Sequence, residues 1–327
     1  MTGTTDRRTM FKLAGGAAMA LTAPQIMVRA ASAQIATASE LANPGFHNFK
    51  LGDFRVTTIL DGGRPSEGPH PIFGEDQEAT AVAELMEANF LPPDQFVNGF
   101  APVVIDTGAE KVLFDTGLGE GARANGLGQL RERMQAAGHQ PDEIDIVVLT
   151  HFHGDHIGGL MEGGEPAFAN ARYVAGQAEY DFWTAPERAE GQTANAAQAV
   201  EANVVPLAEN MTFIGDGDEV VPGISAVAAF GHTPGHLAFS VESGGRRLML
   251  VADAANHYVA SLMRPDWHVR FDMDKDMAVE TRKRLFDMIA TDRIPFIGYH
   301  MPFPAVGYVE KVDPGYRYVP ATYQFDL

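Results

Sequence analysis

His151-Phe152-His153-Gly154-Asp155-His156 places three imidazoles and a carboxylate in six residues, directly after the apolar run 144–149. A strand sends alternate side chains to one face, so His151 and His153 converge on one ion where such a strand runs out. Asp155 and His156 sit one turn further on, free to address a second ion. The chain contains no cysteine, which leaves imidazole nitrogen and carboxylate oxygen as its strong ligands. Zinc is the first expectation for such a set, with iron, manganese or cobalt behind it.

The second half of the chain repeats the arrangement. Apolar runs 224–230, 248–251 and 294–299 end on Gly231-His232-Thr233-Pro234-Gly235-His236, on Ala252-Asp253 and on His300. With the first motif, four apolar runs finish on a ligand type, which is how a layered α/β fold builds a site at one edge of its sheets. Only one of His232 and His236 need reach a metal, the other anchoring the Thr233-Pro234-Gly235 turn, and spacing does not choose between them. Asp115, after residues 112–114, reads as a turn carboxylate or a hydrogen-bond partner behind the ligands. Residues 51–60 and 101–105 read as strands, 126–137 as a helix ending near Gly138, 172–175 as a short strand and 184–203 as a helical, partly exposed stretch.

Length and charge bound the rest. The 327 residues are 45% hydrophobic, enough for a full core, and no linker or repeat divides them after residue 45, so residues 34–327 are expected to form one domain. The net charge is −19, and residues 1–33 hold four basic side chains (Arg7, Arg8, Lys12, Arg29) against Asp6, so the remainder is still more acidic. Such a surface repels nucleic acid and anionic lipid and suits a small neutral or hydrophobic substrate. Asp6-Arg7-Arg8-Thr9-Met10-Phe11-Lys12 precedes an Ala/Gly/Leu-rich run, and Ala31-Ser32-Ala33 offers small residues for cleavage. Residues 1–33 therefore read as a twin-arginine export signal, which implies a folded, periplasmic product. The run 13–28 is too short, too rich in Gly and Ala, and too interrupted by Pro24 to read as a membrane anchor.

Together the HxHxDH block, the GHTPGH turn, Asp253 and His300 resemble the dinuclear hydrolases of the metallo-β-lactamase superfamily. Leu51-Gly52-Asp53-Phe54, Asp181-Phe182-Trp183, residues 275–290 and Gly315-Tyr316-Arg317-Tyr318-Val319-Pro320 add a resemblance to the methyl parathion hydrolase and lactonase-like branch. The resemblance implies an αββα sandwich with the site at one edge of its two sheets. It implies two zinc ions per subunit, one on His151, His153 and His236, the other on Asp155, His156 and His300, with Asp253 bridging them. It also implies Trp183 as an aromatic wall of the substrate pocket, and homodimers are common among such relatives.

Two close cations make a bridging hydroxide available near neutral pH, polarise a carbonyl or phosphoryl oxygen and neutralise the leaving oxygen, so no protein nucleophile is needed. Asp155 is placed to steer that water and take its proton. The substrate expected is a small hydrophobic lactone, carboxylic ester or phosphotriester. Phe90, Phe96, Phe100, Trp267 and Phe271 are further candidates for an apolar lining. Two departures from the resemblance matter. Residues 118–122 hold no aromatic where methyl parathion hydrolases carry a phenylalanine, and Asn256 stands where acyl-homoserine lactonases place a leaving-group tyrosine, with His257 or Tyr258 as the candidate substitute. The alternatives are a glyoxalase II-like thioester hydrolase, for which Arg264, Arg270, Arg282, Lys283 and Arg284 supply cations, and an iron-dependent oxidoreductase of the same fold.

Overall fold

Strict alternation along the early strands divides their side chains between two cores. In the computed structural model of the protein, residues 44–322 and 324–327 are described, and the export-signal reading of residues 1–33 lies outside them. The first half runs β1 (Phe46–Leu51), β2 (Phe54–Ile59), β3 (Gly62–Glu67), α1 (Ala79–Ala88), β4 (Gln95–Phe100), β5 (Val103–Asp106) and β6 (Lys111–Phe114). There follow α2 (Leu130–Ala136), β7 (Ile146–Leu149), the one-turn α3 (Gly154–Ile157), the short pair β8 (Met161–Glu162) and β9 (Glu165–Pro166), β10 (Arg172–Gly176), α4 (Gln177–Thr184), α5 (Ala194–Asn203) and β11 (Met211–Ile214). Seven of these strands form a mixed sheet in the order β1-β2-β5-β6-β7-β10-β11, while β3 and β4 pair as a separate ribbon.

The second half contributes β12 (Glu219–Val221), β13 (Ile224–Ala228), β14 (Leu237–Ser243), β15 (Arg246–Ala252), α6 (Ala260–Met263), α7 (Lys275–Asp292), β16 (Phe296–Gly298), β17 (Val306–Lys311) and β18 (Tyr316–Pro320). Its seven strands lie in sequence order in a second sheet.

Val103, Ile105, Val112, Phe114, Ile146 and Val148 face the second sheet, where the Phe114 and Phe239 rings meet edge to face at 5.0 Å. Their neighbours Val104, Leu113, Val147 and Leu149 face outward and are covered by Leu130 and Met134 of α2, Trp183 of α4 and Val200 of α5. On the other side, Ala278, Leu285, Phe286 and Ile289 form the buried stripe of α7, at the spacing of one helix face. Asp274 caps that helix by accepting the Met277 N–H at 3.0 Å. Helix, sheet, sheet and helix thus stack as the αββα sandwich expected from the sequence. Among the described residues no helix is long and apolar enough to cross a membrane.

Some local expectations shift. Residues 51–60 are not one strand: Gly52, at φ +58, turns β1 back into β2 as a hairpin. The helix expected over 126–137 starts only at Leu130, because 120–125 wind as a 3₁₀ helix that ends on Gly126 in the left-handed region. Within 184–203 the regular helix is confined to α5, after the Pro186 turn. The edge holding the site is where β6, β7, β15 and β16 end and β14 begins. There the Leu237 N–H donates to the Thr150 carbonyl at 2.9 Å, joining the two sheets.

His139, far from that edge, is fully buried beside Arg55 and Thr57. Burial, aided by the Arg55 charge, lowers its pKa from 6.5 to about 4. The unfolded chain therefore binds the extra proton between those values, so stability contributed by neutral His139 is lost as pH falls through that window. Thermal unfolding followed from pH 7 to pH 4 should show a shallower decline in His139→Gln than in the parent, and parallel curves would contradict this.

Candidate metal centre

The converging side chains are delivered at the ends of strands, and four of the imidazoles, His151, His156, His232 and His300, are held from behind. β7 runs out at Leu149, and Thr150, His151, Phe152 and His153 lead into α3, which carries Asp155 and His156. Asp115, just past β6, adopts φ +59, a conformation that costs a non-glycine residue ~1–3 kcal/mol. That geometry lets its carboxylate accept the Thr150 N–H and hydroxyl, both at 2.9 Å, and the His156 Nδ1–H at 2.8 Å. The sequence reading of Asp115 as a partner behind the ligands describes this position. Thr150 Oγ1 in turn lies 3.1 Å from His151 Nδ1. His300, after β16, donates from Nδ1 to the Gly99 carbonyl at 2.8 Å.

Three groups of ligand atoms result: His151, His153 and His232; His151, His156 and Asp253; and Asp155, His156 and His300. His151 Nε2 and His153 Nδ1 are 3.1 Å apart, and His153 Nδ1 and His232 Nε2 are 2.9 Å apart. Asp253 stands between the groups, its Oδ2 3.1 Å from His300 Nε2 and 3.2 Å from His232 Nε2, its Oδ1 3.3 Å from His156 Nε2. His156 Nε2 and Asp253 Oδ1 are buried and have no hydrogen-bond partner. Buried polar atoms are normally paired, so two orphans facing one another fit a cation, as does the mixed imidazole and carboxylate donor set.

The electrostatics agree. Burial pulls His232 down, but Asp253 and Asp272 reverse this and raise it to about 9. His156 and His300 are likewise held up by carboxylates, chiefly Asp253, against their burial. Asp253 itself is kept well below the usual carboxylate range, its desolvation outweighed by His300, His156 and His232. Burial and the neighbouring imidazole of His232 lower His153 to about 3. The carboxylates thus hold His156, His232 and His300 toward the protonated form, while His151 and His153 are held neutral, the form that offers a lone pair.

Of the two histidines in the GHTPGH turn, the structure brings His232 to the cluster and not His236, which corrects the expected set. Both nitrogens of His236 are spent on backbone: Nδ1 donates to the Ala229 carbonyl at 2.8 Å and Nε2 accepts the Asp253 N–H at 3.1 Å. His232 leaves Nε2 free to converge, because Nδ1 donates to Asp272 Oδ1 at 2.9 Å. Asp272 is held by Arg282, a fully buried guanidinium that also donates to the Ala254, Pro265 and Trp267 carbonyls. Arg282 is therefore committed to the scaffold and does not serve a substrate carboxylate.

Trp183 also departs from its expected role. It is 4% exposed, packs behind His153 with ring centroids 6.2 Å apart, and donates from Nε1 to Glu179 at 2.8 Å. Glu179 escaped the sequence reading. Its buried carboxylate also accepts the Phe152 N–H, the Thr233 hydroxyl and the Gly235 N–H, bracing the exit of β7 against the GHTPGH turn. Gly235 is required there, since a Cβ would come within 2.1 Å of the Glu179 nitrogen. The only local sign of this brace is the Glu179/Trp183 spacing of one helical turn.

A cavity of about 660 Å³ opens beside the centre. Met86 of α1, Phe96 and Val97 of β4, and Met301 and Phe303 line it, together with Asn256, His257 and His300. Of the other expected wall residues, Phe100 and Trp267 are buried in separate apolar clusters, and Phe90 is 97% exposed.

Residues 102–294 match the family described as the metallo-beta-lactamase superfamily. An N-acyl homoserine lactonase of Bacillus cereus is 26% identical over 209 residues, 61% of this chain and 76% of that protein. AidC, a dizinc quorum-quenching lactonase solved in complex with a product, superposes with a TM-score of 0.77 at 25% identity, over 86% of this chain and 98% of its own. The hydrolase AbOPH superposes equally well at 24% identity, over 86% and 98% of the two chains, a likeness of fold.

The two histidines of the turn should separate on substitution. His232→Ala is expected to lower the metal content measured by elemental analysis, whereas His236→Ala keeps its metal and loses thermal stability. The reverse pattern would restore His236 to the ligand set. Asp272→Asn should weaken metal affinity ~10–100-fold in a chelator competition, because the carboxylate fixes the His232 ring.

Proposed function

The chain belongs to the metallo-β-lactamase superfamily, and from that premise we propose that it is a lactonase-like, metal-dependent hydrolase of small esters with an apolar tail. One observation carries the reading: through His300 the clustered donor set adjoins a cavity of drug-ligand size whose walls are mainly apolar. The lining contains no Lys or Arg, which counts against an anionic glutathione thioester. Residues 118–122 bring no aromatic side chain to the cavity, which favours a lactone over an aryl phosphotriester.

In this reading His151, His153 and His232 would hold one cation and Asp155, His156 and His300 another, with Asp253 available to both groups. Zinc is the metal proposed, as in the dizinc lactonase AidC. Two such cations, when bound, supply an ionised water and polarise the scissile carbonyl. Asp155 has a side chain 24% exposed, against 4% for Asp253, so it is the carboxylate of the set that solvent and substrate can reach. Its accessible oxygen is the place where a proton released in the reaction is held. Asn256 does not stand in for a leaving-group tyrosine in this reading, because its Nδ2 donates to Asp253 Oδ2 at 2.8 Å and steadies the shared carboxylate.

Export through residues 1–33 and a periplasmic location belong to the same proposal. A reporter fused to residues 1–33 should reach the periplasm, and replacing Arg7 and Arg8 together by lysine should abolish this. For the activity, the zinc-loaded protein should open an N-acyl homoserine lactone with a kcat/KM at least a hundredfold above that for methyl paraoxon, or ~2.7 kcal/mol of transition-state discrimination. Chelation should abolish turnover and zinc restore it. A protein holding two metals that opens no lactone would overturn the reading.

A further inference from the structure

His257 is a fixed hydrogen-bond donor with no acceptor in a mainly apolar cavity. Its Nδ1 accepts the backbone N–H groups of Val259 and Ala260, each at 3.1 Å, and its own N–H donates to Ser261 Oγ at 3.1 Å. With Nδ1 occupied as an acceptor, the ring proton resides on Nε2. The ring cannot turn to hide it. One face stacks on Tyr258, with centroids 5.1 Å apart and planes 12° off parallel, and Phe73 and Phe96 close in at 5.0 and 6.2 Å. Nε2 has no hydrogen-bond partner among the described residues, and His257 lines the same cavity as Asn256 and His300.

The same bonds decide what kind of chemistry the ring performs. To release its Nε2 proton the ring would first have to gain one on Nδ1, and Nδ1 is committed to two backbone donors. Burial lowers the imidazole pKa to about 4, so the ring is neutral through the neutral pH range. A neutral imidazole N–H is a good hydrogen-bond donor and a poor acid. Its natural complement is a carbonyl oxygen on the bound molecule, located where the apolar cavity meets the donor set. A plain alkyl lactone carries no such oxygen besides those of its ring, whereas an N-acylated aminolactone carries one on its amide.

We propose that His257 is a specificity-determining residue that donates from Nε2 to the amide carbonyl of N-acylated lactones and so selects them over alkyl lactones of equal length. The proposal rests on the lactonase reading above. Selection arises because a substrate lacking the acceptor leaves a desolvated N–H unpaired, a penalty absent with the acylated substrate.

The test compares N-hexanoyl homoserine lactone with γ-decalactone, which has a tail but no amide. The ratio of their kcat/KM values should fall at least tenfold in His257→Phe, mainly through a raised KM for the acylated lactone, with metal content unchanged. An unchanged ratio overturns the proposal. Since His257→Phe also removes the acceptor for Val259 and Ala260, a second measurement uses the unaltered metal-loaded protein. The ¹⁵N resonance of His257 Nε2 should shift on adding N-hexanoyl homoserine, and not on adding 4-hydroxydecanoate. Equal response to both, or none, overturns the assignment. If the protein opens neither lactone, the lactonase reading falls, while the resonance shift still decides separately whether His257 recognises the amide.

Discussion

Four of the imidazoles that converge in this protein have their outer nitrogens held from behind. Asp115 grips His156, Asp272 grips His232, the Gly99 carbonyl grips His300 and Thr150 abuts His151. A free imidazole rotates and can be protonated at either nitrogen. A pinned one presents a single nitrogen in a fixed direction. The surrounding architecture can be read as the means of delivering those pins. Asp115 accepts an unfavourable backbone conformation, Arg282 is buried whole to hold Asp272, and β4 brings the Gly99 carbonyl across to His300.

This also explains which parts of the site were legible in the sequence. The inner donors follow strand ends, so apolar runs that stop at His151, Asp253 and His300 announce themselves. The sandwich was legible through the family resemblance, while uniformly apolar runs such as 103–105 and 112–114 mark only strands covered on both faces. The pins lie far away along the chain: Asp272 is forty residues from His232, and Glu179 is fifty-four from Thr233. Nothing local marks them. An acidic residue in a helix or loop looks solvated until the fold buries it.

The confusion of His236 with His232 has the same origin. Both follow a glycine in one short turn, both are buried, and both border Asp253. What separates them is the partner of Nδ1, a carboxylate for one and a carbonyl for the other, together with the backbone N–H that occupies Nε2 of His236. Trp183 was misplaced for a related reason: its ring does lie near His153, but its indole N–H is claimed by Glu179, which draws it into the wall behind the site. The cavity instead takes its outer wall from α1 and the β3–β4 ribbon, whose apolar residues carry no sequence mark distinguishing them from ordinary core.

The donors are divided between the two layers of the sandwich. His151, His153, Asp155 and His156 come from the end of β7, in one sheet, while His232, Asp253 and His300 come from turns of the other. A cation coordinated by both sets spans the seam between the layers. Its binding energy is therefore also adhesion between the two halves, added to that of the Leu237–Thr150 hydrogen bond and the Glu179 brace. A metal held there would be both the reactive element and the clasp of the sandwich, and its removal would loosen the closure of the fold at that edge.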